Sequence, residues 1–465
     1  MYVLRRCLLV EELNQESLLE IGKKAVDLAL KLGADEAEAY LSYGFENTVK
    51  IERNQIIRGL HKVDQGIGVR IAYNKALGFS YTNIFDEQAI RKTVETALKS
   101  AKSSKPDENW LGFPSAKRFG NPKKVFDSRI VDLSVEELSS QASLMLDAAL
   151  GYDKRVFVTD GEMDALFLIH AIVNSNDIEV AGKGTAISCY AATLARENSK
   201  VTPICFDYDV SRSYEINPEK VGLNASKMAV SALKAKKIET GNYSAVFTEV
   251  SLYLLLYYTL VAAIKADAVQ REQSALKGKI GQKIASEVLT IYDDGLFEGG
   301  LFTSRFDGEG VPTQKTVLIE NGILRNYLYD CYTASKDKVE STGNARRGLL
   351  TAYLSTPRLE ATNFVIEKGT KSNEELLNEI ENGVLIGYLQ GAHSSNPASG
   401  EFSVVATPAW KIENGEIAYS IKGAMLAGNI YDLLLNVSAV GREYRQMDHL
   451  VSPWVRTENL KVVGQ

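Results

Sequence analysis

The chain has 465 residues, of which 45% are hydrophobic and 24% charged, the composition of a soluble globular protein long enough for two or three compact units. A formal net charge of −6 argues against a general nucleic-acid binder, which carries a basic surplus. Apolar density peaks over 252–264, short of the ~20 residues that a membrane span requires, so a buried helix is expected there and no membrane partner.

The opening segment 1–10 sets Arg5 and Arg6 before an apolar patch that Glu11 and Glu12 cut off, too short for a secretory-signal core. Residues 15–32 place Leu18, Leu19, Ile21, Ala25, Val26, Leu28, Ala29 and Leu32 along one helical face, and Gly33 suits the C-cap because it tolerates left-handed backbone angles. Strands are expected over 37–43, 48–53, 56–63 and 66–73, then a tight turn at Asn74-Lys75 and a strand over 77–82. Helical periodicity returns over 87–102, a Lys/Ser/Pro/Asp-rich loop fills 102–108, and 135–150 reads as another helix. Residues 155–208 look antiparallel, with a turn at Gly182-Lys183-Gly184 between strands 177–180 and 185–194. Residues 218–236 read as a helix with Pro218 in its first turn and lysines at its end, both favourable for helix termini.

Gly241-Asn242-Tyr243 begins something new, which divides the chain into an N-terminal α+β domain, 1–240, and a β-rich domain, 241–465. The first is α+β because its strands come in groups rather than alternating singly with helices. The second opens on a buried helix over 251–272 and continues mainly as antiparallel strands. Asn321-Gly322 and Asn414-Gly415 each follow Ile-Glu and are flanked by β-prone residues, the pattern of a two-residue hairpin turn. The four cysteines, Cys7, Cys189, Cys205 and Cys331, are scattered without CxxC spacing, so reduced thiols in a cytoplasmic protein are expected.

Several sequence blocks resemble the TldD/PmbA family, paired subunits of a zinc-dependent peptidase assembly. In the first half these are residues 33–40 (Gly-Ala-Asp-Glu-Ala-Glu-Ala-Tyr), 66–70 (Gly-Ile-Gly-Val-Arg) and 76–83. In the second half they are 307–313 (Asp-Gly-Glu-Gly-Val-Pro-Thr), 341–347 (Ser-Thr-Gly-Asn-Ala-Arg-Arg), 396–403, the Glu413-Asn414-Gly415 turn and 422–429. The resemblance implies two domains, pairing with a TldD-type subunit, and a peptide-accessible chamber between them. TldD-type subunits carry HExxxH on the central helix. Aligned through Gly278, Gly281 and Asp293-Asp294-Gly295, that motif falls on residues 257–262 here, where Tyr257, Tyr258 and Ala262 replace its histidines and glutamate. Zinc hydrolysis needs imidazoles to hold the metal and a carboxylate to take the proton from bound water. No cysteine follows Cys331 to supply the further ligand that the family implies. The chain therefore resembles the PmbA/TldE-type subunit, with no cofactor of its own and zinc expected in a TldD-like partner.

Candidate substrate-binding residues cluster in two loops. His393, Ser394, Asn396, Ser399 and Glu401 place an imidazole, hydroxyls and a carboxylate close in sequence. They suit a structural loop, a wall of a peptide channel, or a metal-independent hydrolase if hydroxyl and base converge. Asn344, Arg346 and Arg347 form a loop able to grip a peptide carboxylate or carbonyls through fork-like donors, although solvent or an interface carboxylate could take the arginines instead. Tyr257 and Tyr258 either line a ligand space or fill the core. Asp293, Asp294, Asp307 and Glu309 lack the alternation of a calcium loop, so turn-forming roles are expected. His61, His170 and His449 are isolated, with nothing to recommend them as ligands. The expected activity is that of a non-catalytic subunit acting on unfolded or extended peptides with a TldD-like partner. A hydrolase using the His393–Glu401 loop and a peptide-binding regulatory homodimer are the alternatives.

Overall fold

A computed structural model describes residues 13–464; the expectations for segment 1–10 and Cys7 lie outside the described residues. The N-terminal half folds as α1 (Gln15–Lys31), β1 (Glu36–Glu52), β2 (Gln55–Tyr73), β3 (Ala76–Thr82), α2 (Glu87–Ser103), α3 (Ser128–Val131), α4 (Val135–Tyr152), β4 (Val156–Asn174), β5 (Glu179–Glu197), β6 (Lys200–Val201), β7 (Cys205–Ser211) and α5 (Pro218–Ser231). All seven strands join one antiparallel sheet in the order β3-β2-β1-β4-β5-β6, with β7 also on β5.

The helices follow their sequence signals closely. Asn14 caps α1 through a reciprocal bond with Ser17, and Gly33 sits just past its end at φ 92°. Ser134 caps α4 with the same reciprocity through Glu137, and Asp86 accepts the Ala89 N–H in the first turn of α2. Helix α5 ends at Ser231 and tightens into a 3-10 turn that holds Lys234, so the expected lysine-rich helix end, Lys234 and Lys236, lies outside it.

The strands are longer than the sequence suggests. The four expected strands between 37 and 73 are two, β1 and β2, of 17 and 19 residues. Gly44 and the polar residues around it do not interrupt β1, because pairing to β2 and β4 continues on both sides without a break there. The turn expected at Gly182-Lys183-Gly184 is likewise absent. These residues pair with His170, Ile169 and Leu168 inside β5, and the chain reverses earlier, where Asp177 takes φ 65° and Asn174 caps the loop. The glycines serve close approach instead. A Cβ on Gly182 would stand 3.0 Å from the His170 ring, and one on Gly184 would meet the Arg212 guanidinium at 2.2 Å.

Strand alternation assigns the two sheet faces. Odd positions Ala37, Ala39 and Leu41 of β1, with Ile169, Ala171 and Val173 of β4, pack under α1 and α2. Val49, Ile51, Met163 and Ala165 continue the same face under α4 and α5. Even positions Tyr40 and Ile172 turn away from the helices and pack on Phe306, Ala352 and Tyr353 of the C-terminal half.

In that half, β8 (Gly241–Phe247) lies inside a nine-stranded sheet, antiparallel to Val455–Gly464 and parallel to Asn382–Ile386. A six-stranded sheet includes Ile291–Asp294, Lys315–Glu320 and Phe364–Ile366, with one parallel pairing to Leu450–Ser452. Most pairings are antiparallel, and α6 (Glu249–Leu256) packs in the large core shared by strands of both sheets. Both Asn-Gly hairpin turns form, with positive φ at Asn321, Gly322, Asn414 and Gly415. The expected single helix over 251–272 is not continuous. It starts at Glu249 under a Thr248 cap, widens into a π turn over Tyr257–Val261, and breaks at Lys265, which bridges to Leu328. No helix of the described residues is long and apolar enough to cross a membrane.

Candidate functional site

The π turn marks the centre of the site. In an α-helix, positions five apart diverge by about 140°, whereas an i→i+5 turn brings them toward one face. The widened segment covers Tyr257 to Val261, with Ala262 immediately after it. It occupies the positions assigned to the metal motif by resemblance. Tyr257 and Tyr258 are partly buried, with rings edge to face at 4.9 Å, and Tyr257 packs on His449 at 5.1 Å.

Tyr257 lines a cavity of about 430 Å³ with Arg346, Arg347, Gly348, Ser355, Thr356, Arg358, Glu360, Asp448 and His449. A larger crevice of about 550 Å³ adjoins it and shares Arg346, Arg347 and Gly348. That crevice is walled by even-face residues of the N-terminal sheet, among them Asp164, Leu166, Leu168 and His170, and by loop 301–308. The larger crevice thus lies between the two halves of the chain, whereas the smaller cavity is lined by the C-terminal half alone, and Arg346, Arg347 and Gly348 border both.

The adjacent arginines have different fates. Arg347 donates to Glu38 Oε1 at 2.5 Å and to the carbonyls of Gly308 and Ser355, and its guanidinium lies over Tyr40. Arg70 grips the same Glu38 through two bonds of 2.9 and 2.6 Å and approaches Glu309 at 3.4 Å. Burial raises the Glu38 carboxyl, but the two guanidiniums outweigh it and hold the group below its ordinary range. Arg347 is therefore a buried tie between the halves. Arg346 stacks over Phe302 at 3.8 Å and makes one long bond, 3.4 Å, to the Ala361 carbonyl.

The acidic residues of the family-like blocks build the scaffold. Asp307 accepts the N–H groups of Glu309, Val311 and Ala345, fixing one loop against the strand that carries Arg346. Burial and the neighbouring Glu309 raise its carboxyl, and those N–H groups oppose the rise. Asp293 accepts from Asn344 Nδ2 at 2.7 Å and from both the amide and hydroxyl of Thr362; burial lifts it to about 6. Asp294 accepts from Leu296 N–H in a turn. Asn344 is 1% exposed and held in this network, outside the lining of either cavity.

The second loop closes on itself. Ser394 donates to the Gly391 carbonyl, the Asn396 side chain accepts from Ala398 N–H, and Ser399 donates to Glu401 at 3.2 Å. His393 is exposed, lies 6.4 Å from the Tyr258 ring by centroid, and makes no hydrogen bond to any of these hydroxyls. The hydroxyl–base convergence that a hydrolase needs is not formed here. None of the five loop residues lines either cavity. His449, by contrast, had no local sequence signal. Only the tertiary fold sets it beside Tyr253, Tyr257 and Phe302.

The residues at the π turn do not fit a zinc ion. Tyrosine and alanine replace the donors, and no group of three or more His, Cys, Asp or Glu placed to hold a metal occurs among the described residues. Cys189, Cys205 and Cys331 are free thiols.

Family models described as PmbA/TldA metallopeptidase domain 1, central domain and C-terminal domain match residues 37–101, 128–233 and 240–464. An uncharacterized protein of Methanocaldococcus jannaschii is 33% identical over 451 residues, covering 95% of this chain and 98% of that one. The chain belongs to the PmbA/TldD family. Metalloprotease PmbA of Escherichia coli O157:H7 is 27% identical over 462 residues, covering 97% of this chain and 98% of its own. The crystal structure of TldE from Thermococcus kodakarensis superimposes with a TM-score of 0.90 at 30% identity, covering 96% of this chain and all of that one. In this PmbA/TldD family member, the first two matched segments share one sheet, joined by the β1–β4 pairing. The C-terminal match carries the π turn, Arg346 and His449.

Proposed function

We propose that this chain is the non-catalytic, PmbA/TldE-type subunit of a cytoplasmic zinc metallopeptidase assembly whose metal and general base reside in a TldD-like partner. The observation that carries the reading is the π turn with Tyr257, Tyr258 and Ala262 in place of donors, inside an otherwise intact family fold. Alanine offers no donor, and neutral phenols do not replace the imidazole ligands or the carboxylate base. On this reading the groove between the halves helps hold an unfolded or extended peptide, and the subunit completes the chamber and stabilises its partner. Strand edges and loops around the groove would bind backbone with loose side-chain selectivity.

The test mixes the purified chain with an HExxxH-bearing homologue from the same genome and follows cleavage of an unstructured peptide, with and without chelator. Chelator-sensitive activity or partner stability should rise several-fold on mixing. A mixture no more active and no more stable than the homologue alone would refute the accessory role. Cleavage by this chain alone, free of metal, would favour the independent hydrolase instead.

A further inference from the structure

We propose that the cavity beside the π turn is a carboxylate-binding site, with Arg346 as its anchor and His449 as a second donor. The proposal rests on the peptide-holding role above and specifies which peptide group the cavity takes.

Two unsatisfied groups point to a ligand. Arg346 makes no ion pair within 4 Å among the described residues, and its single hydrogen bond is long, although the neighbouring Arg347 is fully engaged. A guanidinium has five N–H donors in a planar fork that matches a carboxylate. Most of those on Arg346 are unclaimed. His449 is 5% exposed, yet neither ring nitrogen makes a hydrogen bond; Nδ1 stands 3.5 Å from Asp448 Oδ1. A buried imidazole with no partner is costly unless something else supplies one.

The charges agree in sign. Of the lining residues, Arg347 is neutralised by Glu38, and Glu360 pairs with Lys265 at 3.2 Å. Arg346 and Arg358 then face Asp448, which leaves a surplus of one positive charge. A surplus of one matches a planar monoanion, whereas a phosphate dianion would keep one charge uncompensated. The adjoining crevice gives the remainder of a peptide somewhere to lie. The carboxylate could belong to the chain end or to an Asp or Glu side chain; the chemistry is shared.

Calorimetry on the full chain can separate these cases with one neutral unstructured peptide made in three forms. They are the free C-terminal acid, the C-terminal amide, and the amide with one internal glutamate. The acid should bind at least about tenfold more tightly than the amide, a factor that Arg346→Gln removes and Arg346→Lys partly restores. Equal gain from the glutamate form would support the site and assign the side-chain source. If Arg346→Gln fails to fold, Arg358→Gln, on the exposed rim, should still reduce the acid–amide difference. Three forms that bind equally, or none that binds, overturn the proposal, as does inorganic phosphate competing better than acetate. The mixed-subunit assay is independent, so equal binding there with intact activation would sink the carboxylate site and leave the accessory role standing.

Discussion

His170 shows how a single half-buried side chain sets an acid limit on this fold. It sits on the even face of β4, packed 4.9 Å from the Phe306 ring, with Nδ1 buried and without a partner. Burial, aided by the nearby Arg212 charge, depresses its imidazolium to about 4 from an ordinary 6.5. Between those values the unfolded chain takes a proton that the folded chain refuses. Stability from this group is therefore complete above about pH 6.5 and is lost as pH falls toward 4, by up to roughly 3 kcal/mol. Asp164, raised to about 7 mainly by burial, works in the opposite direction over an overlapping window. His170→Leu isolates the first effect: the urea midpoint of the variant should lose less stability than the parent between pH 7 and pH 4.5. Parallel pH profiles would contradict this account.

Among the elements, β5 teaches most, because its two glycines look like a turn and are not one. Arg212, at the end of β7, crosses over Gly184 and donates to the carbonyls of Val125, Thr185 and Leu301, with longer bonds to Gly300 and Thr303. A charged donor without a carboxylate partner is thus satisfied by backbone from both halves of the chain. Gly184→Ala would push a methyl into that guanidinium. The combined overpacking and lost bonds should cost ~2–4 kcal/mol in chemical denaturation. Gly151→Ala, in α4 with nothing within 4 Å of the added carbon, should be neutral or slightly stabilising. Comparable losses at both positions would show that close approach is not what Gly184 provides. The Gly33 cap and the Asn-Gly turns were readable because their determinants lie within four residues of one another. The glycines of β5 were not, since the side chains that require them come from β4 and from the residue that follows β7.

At the scale of the molecule, the halves are joined by charged side chains as well as by the apolar contact of Tyr40 and Ile172 with Phe306. Arg445 donates to Glu249 at the start of α6 and to Asp207 of β7, and Trp454 Nε1 donates to the other Glu249 oxygen. Both carboxylates are buried. Arg445→Gln would strand them, at a cost of ~2–3 kcal/mol after allowance for the exposure of Arg445 itself. Hydrogen exchange should quicken at β7 and at the first turn of α6 together. If exchange quickens at only one of them, Arg445 does not couple the halves.

The sequence by itself decided the local matters: the helices of the N-terminal half to within a few residues, the Gly33 cap, the Asn-Gly turns, and the presence of Tyr257, Tyr258 and Ala262 where the resemblance puts the metal motif. It also carried the family likeness, because those blocks are contiguous. Strand length escaped it, since a polar residue in a long antiparallel strand reads like a loop until its neighbours on both sides are known. The division of labour between Arg346 and Arg347 escaped it too. Glu38, which claims Arg347, is 309 residues away in the chain, and only folding brings that carboxylate to one guanidinium while leaving the other facing the groove.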